Sequence, residues 1–87
     1  MKMKKVRIKE AIQVGKKLSQ RIFDLPCVDG ALKDKETGQM YYMIRLAPDC
    51  HHTSATEGEW ICEDYFGNWH VLTDYEFSIN EAMPTGF

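Results

Sequence analysis

The features that this chain lacks set the first limits on its function. Its 87 residues include only three cysteines, three prolines and six scattered glycines. Cys27, Cys50 and Cys62 do not have the spacing of a disulfide framework, so we expect a reducing, cytoplasmic compartment. No glycine-rich phosphate loop, nucleophile motif or acid–base motif is present. We therefore expect a protein that is not an enzyme and that needs no cofactor.

Long apolar runs are also missing. No stretch approaches the ~20 apolar residues of a membrane span, and no apolar run that could form a signal peptide follows Met1–Val6. The hydrophobic fraction of 44% and the charged fraction of 28% are typical of a soluble folded protein. We expect no membrane partner. The length predicts one domain over residues 1–81 with a flexible tail at 82–87. A domain this small gains stability from self-association, so an oligomer is plausible.

Charge is distributed unevenly along the chain. Residues 1–23 hold eight basic side chains and one acid, whereas residues 24–87 hold three basic and twelve acidic side chains. The basic quarter, which includes Lys16, Lys17 and Arg21, could bind phosphates or an acidic partner surface. The alternative is that it neutralises the acidic remainder of the fold or of a second copy. No aromatic stacking platform interleaves these lysines, so a nucleic-acid partner is not expected.

The clearest periodicity lies between Ile8 and Leu25. At about 100° per residue, apolar and small side chains share one half of the helical circle, and charged and amide side chains fill the other. The first set consists of Ile8, Ala11, Ile12, Val14, Gly15, Leu18, Ser19, Ile22, Phe23 and Leu25. This pattern predicts an N-terminal amphipathic helix, which Pro26 ends because the residue before a proline avoids the helical region. A small domain needs such an apolar face for its own core, so we expect the helix to pack on a sheet.

After Cys27 the period changes to two, which is typical of strands. Four strands are predicted, and a short helical turn capped by Thr73 or Asp74 follows them. Residues 48–58 have no periodicity and predict a loop. The fold class that results is α+β, with one N-terminal amphipathic helix packed on an antiparallel sheet of about four strands. The predicted strands are Val28–Lys33, Gln39–Leu46, Glu59–Glu63 and Trp69–Leu72.

Six of the ten aromatic residues lie between Glu57 and Phe77, which we interpret as the centre of the core. Within it, Tyr65 and Phe66 fall at the tip of a predicted hairpin, next to Asn68. Exposed aromatic rings there would anchor a protein partner or stack on a flat ligand. The alternative is that the hairpin folds over the helix and buries at least one ring.

One cluster carries metal-ligand chemistry. Cys50, His51 and His52 are adjacent and Cys62 follows later, and four such ligands could hold zinc. Zinc modules bring their ligands in pairs a few residues apart, whereas here three are consecutive. We therefore predict no metal and keep these residues as weak candidates. His51 and His52 are also candidates for ligand binding from the predicted loop.

The segments around the predicted hairpin resemble a pattern in small phage and prophage proteins of the PGDYG type. The likeness covers Gly58–Cys62, Gly67–Val71 and Asp74–Phe77, about the last third of the chain. It departs from the pattern at Glu57, where proline is usual, and at Glu59, where aspartate is usual. The resemblance implies an origin as a phage or mobile-element accessory protein and implies no activity.

These observations predict a non-catalytic binding module, an anti-defence-like accessory protein that acts on a host protein. One alternative is an oligomeric protein that sequesters a small ligand or nucleotide, using Tyr65, Phe66 or the His51–His52 loop for the ligand and the N-terminal lysines for phosphates. A second alternative is a small zinc-stabilised domain. The sequence does not identify the partner.

Overall fold

The computed structural model describes residues 6–46 and 52–82, and it is mostly β. The first antiparallel sheet has the strand order β1-β5-β6, and the second has the order β2-β3-β4. Two helices complete the described part of the chain. In chain order the elements are β1 (Ile8–Gln13), α1 (Gln20–Phe23), β2 (Val28–Lys33), β3 (Met40–Arg45), β4 (His52–Thr56), β5 (Trp60–Asp64), β6 (Trp69–Leu72) and α2 (Asp74–Ala82).

The predicted α+β fold, with a long amphipathic helix on one sheet, is wrong. Residues 8–13 form strand β1, which pairs with β5, and only the four residues of α1 are helical in this region. Ile8, Ile12 and Val14 fit a two-residue period as well as a helical one, and β-branched side chains pack well on a pleated sheet. Pairing with β5 decides in favour of the strand over the helix. Without β1, the buried Ile61 would lie on an unpaired edge strand.

The buried face that the helix prediction assigned is also corrected. Val14 and Ile22 are buried, but Ala11, Gly15 and Leu18 are exposed. A helix would place all five residues on one face. In strand β1 the Ala11 side chain points to the face opposite that of Ile12, and the loop after β1 leaves Gly15 and Leu18 exposed to solvent.

The second sheet contains the other correction. The loop predicted over residues 48–58 includes strand β4, whose Ala55 lies opposite Tyr42 of β3 and is fully buried. Residues 47–51 lie outside the described residues. All four predicted strands are present, as β2, β3, β5 and β6, with ends that differ by one residue at most.

The core lies between the two sheets and is closed by α1. Both sheets contribute buried side chains, and the hydroxyl of Tyr42 accepts a hydrogen bond from the Ser19 backbone N–H at 2.9 Å. This bond ties β3 to the segment that leads into α1. The buried cluster consists of Val14, Ile22, Cys27, Tyr42, Ile44, Ala55 and Ile61.

Helix α2 begins with a reciprocal cap at Thr73, which is one of the two capping residues predicted. The Thr73 backbone N–H donates to Glu76 Oε1 at 2.8 Å, and the Glu76 N–H donates to Thr73 Oγ1 at 3.0 Å. The helix runs to Ala82, further than the short turn predicted. The predicted tail, residues 82–87, therefore starts at the last helical residue and otherwise lies outside the described part of the chain.

Helix α2 also holds the start of the described chain. The buried Asn80 side chain accepts a hydrogen bond from the Val6 N–H at 2.7 Å and donates one to the Val6 carbonyl at 2.8 Å. The amide group thus pairs with Val6 as a neighbouring strand would. Near the other end of the helix, Phe77 stacks on Trp60 with ring centroids 3.9 Å apart. Neither helix in the described chain is long and apolar enough to cross a membrane.

Candidate functional site

The turn between β5 and β6, residues 64–68, forms the tip of a hairpin. Its backbone is closed by two hydrogen bonds, from the Asp64 N–H to the Asn68 carbonyl at 3.0 Å and from the Gly67 N–H to the Asp64 carbonyl at 3.2 Å. Gly67 has a φ of 83°, in the left-handed region that glycine adopts without strain. The sequence therefore supplies the residue that this turn requires.

The Asp64 side chain fixes the turn from inside. Its Oδ1 accepts hydrogen bonds from the backbone N–H groups of Phe66 at 2.8 Å and Asn68 at 3.0 Å. Its Oδ2 lies 2.9 Å from Nε2 of His70 on β6. Both carboxylate oxygens are thus engaged, and the turn is held to the strand that follows it.

The electrostatics of Asp64 agree with this geometry. Burial alone would raise the pKa of the carboxyl group, because the charged form loses its hydration. Hydrogen bonds from His70 and from the backbone amides of Asn68 and Phe66 outweigh that effect and lower the pKa of Asp64 below its ordinary value. The charged carboxylate therefore holds the turn at neutral pH.

Two aromatic side chains project from this fixed turn. Tyr65 is 66% exposed and Phe66 is 82% exposed, so neither ring is buried by the rest of the domain. The guanidinium group of Arg7 lies over the Tyr65 ring, 6.0 Å from its centroid. A cation at this distance is attracted to the ring face. The tip therefore presents two rings and a positive charge to solvent.

The base of the hairpin adjoins two depressions that share Trp69. The larger one, about 460 Å³, extends towards Arg21 of α1 and Glu10 of β1. The smaller one, about 370 Å³, extends towards Arg45 and Asn68. Trp69 thus lines both concave surfaces.

A charged cluster lies beyond the smaller depression. Asp29 occupies an irregularity in the β2–β3 pairing, and its carboxylate lies 3.1 Å from Arg45 Nη2 and 2.5 Å from His52 Nε2. The hydrogen bond with His52 is the largest contribution, and together with the positive charge of Arg45 it lowers the pKa of Asp29. The three side chains come from three neighbouring strands and link these strands to one another at one end of the second sheet.

The predicted binding residues are not all brought together. Tyr65, Phe66 and Asn68 share the tip, whereas Lys16 and Lys17 follow the opposite end of β1. A six-residue strand spans roughly 20 Å, so the two groups lie too far apart for one small ligand to contact both. Lys16 and Lys17 therefore cannot share one small ligand with the tip rings, and this alternative would depend on other N-terminal lysines.

From Val6 onward, the basic side chains of the first quarter form no direct ion pair with another described residue. The ion pairs among the described residues involve Arg45, His52 and His70. The described basic residues of segment 1–23 therefore do not neutralise the acidic remainder of the fold through direct ion pairs. Those bases are Arg7, Lys9, Lys16, Lys17 and Arg21.

Only two of the four weak metal candidates lie among the described residues. Cys50 and His51 lie outside the described residues, His52 binds Asp29, and Cys62 is buried on β5. Within residues 6–46 and 52–82, no three His, Cys, Asp or Glu side chains are grouped so that they could hold a metal ion. Burial raises the pKa of the Cys27 thiol to about 11, so it is protonated at neutral pH.

Sequence reasoning missed several members of this site. Arg7 contacts Tyr65 only because β1 pairs with β5, with Ile8 opposite Asp64. Trp69 was assigned to a strand without any role in binding. The local signal that could have been used is the aspartate at the start of a glycine-containing turn, which is typical of a side chain that caps its own turn.

Comparisons with known proteins assign no relative to this chain. No protein-family model, no curated protein and no solved structure matches it. The functional conclusion therefore rests on the site itself.

Proposed function

We propose that this protein is a non-catalytic binding module that contacts a protein partner through Tyr65 and Phe66. The observation that supports this most strongly is the exposure of two adjacent aromatic rings on a turn whose backbone is fixed by the buried Asp64. Large rings on a preformed turn lose little conformational entropy on binding. Such rings are frequent energetic centres of protein interfaces.

The flank of the tip favours a protein surface with some acidic character. Arg7 lies against Tyr65 and forms no ion pair with a described residue, so its charge is available to a partner. Tyrosine and arginine are among the residue types that contribute most to protein interfaces. The positive charge would also speed encounter with an acidic surface.

We further propose that the partner is a host protein and that this chain is a phage or mobile-element accessory factor. This part rests on the PGDYG-type resemblance of the last third of the chain. The resemblance includes Gly67, which supplies the left-handed turn, and the segment Asp74–Phe77, which begins α2.

The test is partner capture with matched variants. Wild-type protein, the Tyr65→Ala/Phe66→Ala double variant and a Tyr75→Ala control would be immobilised and exposed to bacterial lysate. Tyr75 is 73% exposed on α2 and so matches the tip rings in accessibility. We expect one saturable partner that the wild type and the control retain and the double variant loses. Loss of a central aromatic anchor costs ~2 kcal/mol or more, which is about 30-fold in affinity for the purified partner.

Two results would contradict the proposal. Recovery of chaperones alone would show that the protein recognises no specific partner in the lysate. Equal retention of a specific partner by the double variant would show that the tip is not the binding surface. Melting curves of all three proteins serve as the control for folding.

A further inference from the structure

The outer edge of β1 offers unpaired backbone groups. The Val14 N–H donates to the Glu59 carbonyl at 2.8 Å, and its carbonyl accepts from the Gly58 N–H at 2.9 Å, so Val14 is bonded on the β5 side. Residues of an antiparallel strand alternate between this orientation and the opposite one. The β1–β5 register is continuous from Glu10 to Gln13. The N–H and C=O of Ala11 therefore point away from β5, and in the described chain β1 has no second partner strand.

The larger depression reaches this edge. Three consecutive residues, Glu10, Ala11 and Ile12, line the cavity of about 460 Å³. Glu10 and Ile12 share one face of β1, and Ala11 between them also lines the cavity. The outward N–H and C=O groups of Ala11 therefore lie next to the cavity.

The rest of the cavity suits a side chain. Ile61 and Trp69 of the first sheet and Leu25, just after α1, supply apolar surface. Arg21 and Asp24 of the α1 segment supply charges of opposite sign on the facing wall. An apolar recess beside a row of unpaired backbone donors and acceptors is the arrangement that receives an added strand.

We propose that an extended segment of the protein partner pairs with the β1 edge and places a large apolar side chain in this cavity. The inference rests on the proposed function in taking the partner to be a protein. The charges favour a peptide over a nucleic-acid strand, because Glu10 and Asp24 would repel phosphates. Backbone bonds to Ala11 would supply affinity, and contact with Ile61 and Trp69 would select the side chain.

The edge and the hairpin tip form one continuous surface. Ile8 lies opposite Asp64, so a strand that follows β1 towards its start reaches Arg7 and Tyr65. A segment long enough to pair with the whole of β1 would then meet the tip rings as well. The tip anchors the partner, and the edge fixes the direction of its chain.

The experiment uses a phage-displayed library of random twelve-residue peptides, selected on the intact protein. Enriched peptides would be synthesised, and their affinities measured by fluorescence anisotropy for wild type and Ala11→Pro. Proline at Ala11 removes the outward N–H and leaves the ladder to β5 intact, as edge positions allow. We expect at least a tenfold loss of affinity. A melting curve checks that the variant folds.

A second measurement needs no variant. Methylation of alternate backbone nitrogens in an enriched peptide should weaken binding at least tenfold, and methylation of the intervening nitrogens should not. In amide spectra of the wild type, the peptide should shift the Ala11 amide and the indole signal of Trp69. The indole of Trp60, which stacks on Phe77 away from the cavity, should stay unchanged.

The outcomes separate this inference from the proposed function. Peptides that bind Ala11→Pro as well as wild type, or a library that yields no enriched peptide, would overturn the β1 edge as a docking site. A wild-type dimer that Ala11→Pro converts to a monomer would show that a second copy occupies the edge, which also overturns it. Peptides that bind Ala11→Pro but no longer bind Phe66→Ala would support the tip alone as the binding surface. Peptides lost on Ala11→Pro but kept by Phe66→Ala would support the edge and count against the tip.

Discussion

The β2–β3 and β5–β6 hairpin turns are built in the same way and carry different side chains. In the β2–β3 turn, Asp34 Oδ1 accepts hydrogen bonds from the backbone N–H groups of Glu36 at 2.8 Å and Thr37 at 3.3 Å, and Gly38 has a φ of 74°. In the β5–β6 turn, Asp64 and Gly67 play the same parts. An aspartate followed by a left-handed glycine is sufficient to close both turns.

The difference lies at the two tips. The β2–β3 turn exposes Lys35 and Glu36, whereas the β5–β6 turn exposes Tyr65 and Phe66. Since the first turn closes with charged residues, the aromatic rings of the second are not required for its geometry. Their exposure lacks a folding explanation, which supports a role in binding.

The largest expected effect on the free energy of unfolding comes from comparing a substitution at the base of the β5–β6 hairpin with one at its tip. Ile61 is buried in the core, so Ile61→Ala should lower the free energy of unfolding by about 2–5 kcal/mol. Phe66→Ala should change it by no more than ~0.5 kcal/mol, as for an exposed side chain. Urea unfolding measures both. A large loss for Phe66→Ala would mean that the ring packs on the domain and that the two tips are not equivalent in the fold.

The next effect contrasts the two aspartates. Asp64→Ala should cost about 1–3 kcal/mol of unfolding free energy, because it leaves two backbone N–H groups and His70 without their acceptor in a partly buried site. Asp34→Ala should cost less, about 0.5–1 kcal/mol, because water replaces the lost acceptor at an exposed turn. Thermal and urea unfolding of both variants would check this order. Equal losses would show that burial and the His70 contact add nothing to the Asp64 turn.

The smallest effect is a pH dependence of the Asp64 contribution. The pKa of Asp64 is lower in the folded protein than its ordinary value of 3.8. Its stabilisation is therefore complete above that ordinary value and is lost as the pH falls through the lower folded pKa. Asp64→Asn keeps an acceptor for the turn but does not titrate. The stability difference between wild type and Asp64→Asn, measured by urea unfolding, should shrink as the pH falls from about 5 towards 2.

Asp29 titrates in the wild type and in Asp64→Asn alike, so its own lowered pKa does not enter the difference between them. A difference that stays constant over this range would show that the charge of Asp64 does not stabilise the turn.

Local chemistry made part of this fold predictable. The four strands from β2 onward that the sequence indicated have alternating side chains, and the turns between them carry aspartate and glycine. The cap of α2 follows from Thr73 and Glu76, three residues apart. Each of these signals depends on residues close together in the chain, and each was recognisable without knowing the tertiary structure.

The N-terminal segment was not predictable in this way. Its apolar spacing satisfies both a helix and a strand, and the choice depends on β5, about 50 residues later in the chain. Strand β4 escaped prediction for a related reason, because His52–Thr56 is largely polar and is stabilised by pairing with β3. Intrinsic preference is weak where a partner strand decides the outcome.

The candidate site was partly predictable for the same reasons. The position of Tyr65 and Phe66 at a tight turn follows from the local sequence, whereas their exposure was one of two open alternatives. The cation beside them and the open edge of β1 follow only from the β1–β5 register. A stretch predicted as a helix gave no reason to look for either.

Because the Asn80 side chain is hydrogen-bonded to the Val6 backbone, the segment that leads into β1 lies beside α2. The order in which the strands are connected is therefore open to change without changing their neighbours. A circular permutant that joins α2 to β1 by a short linker and starts anew between Lys35 and Glu36 would keep all four strand pairings. In such a molecule the Tyr65–Phe66 tip would be unchanged, while both new chain ends would lie at the other hairpin turn.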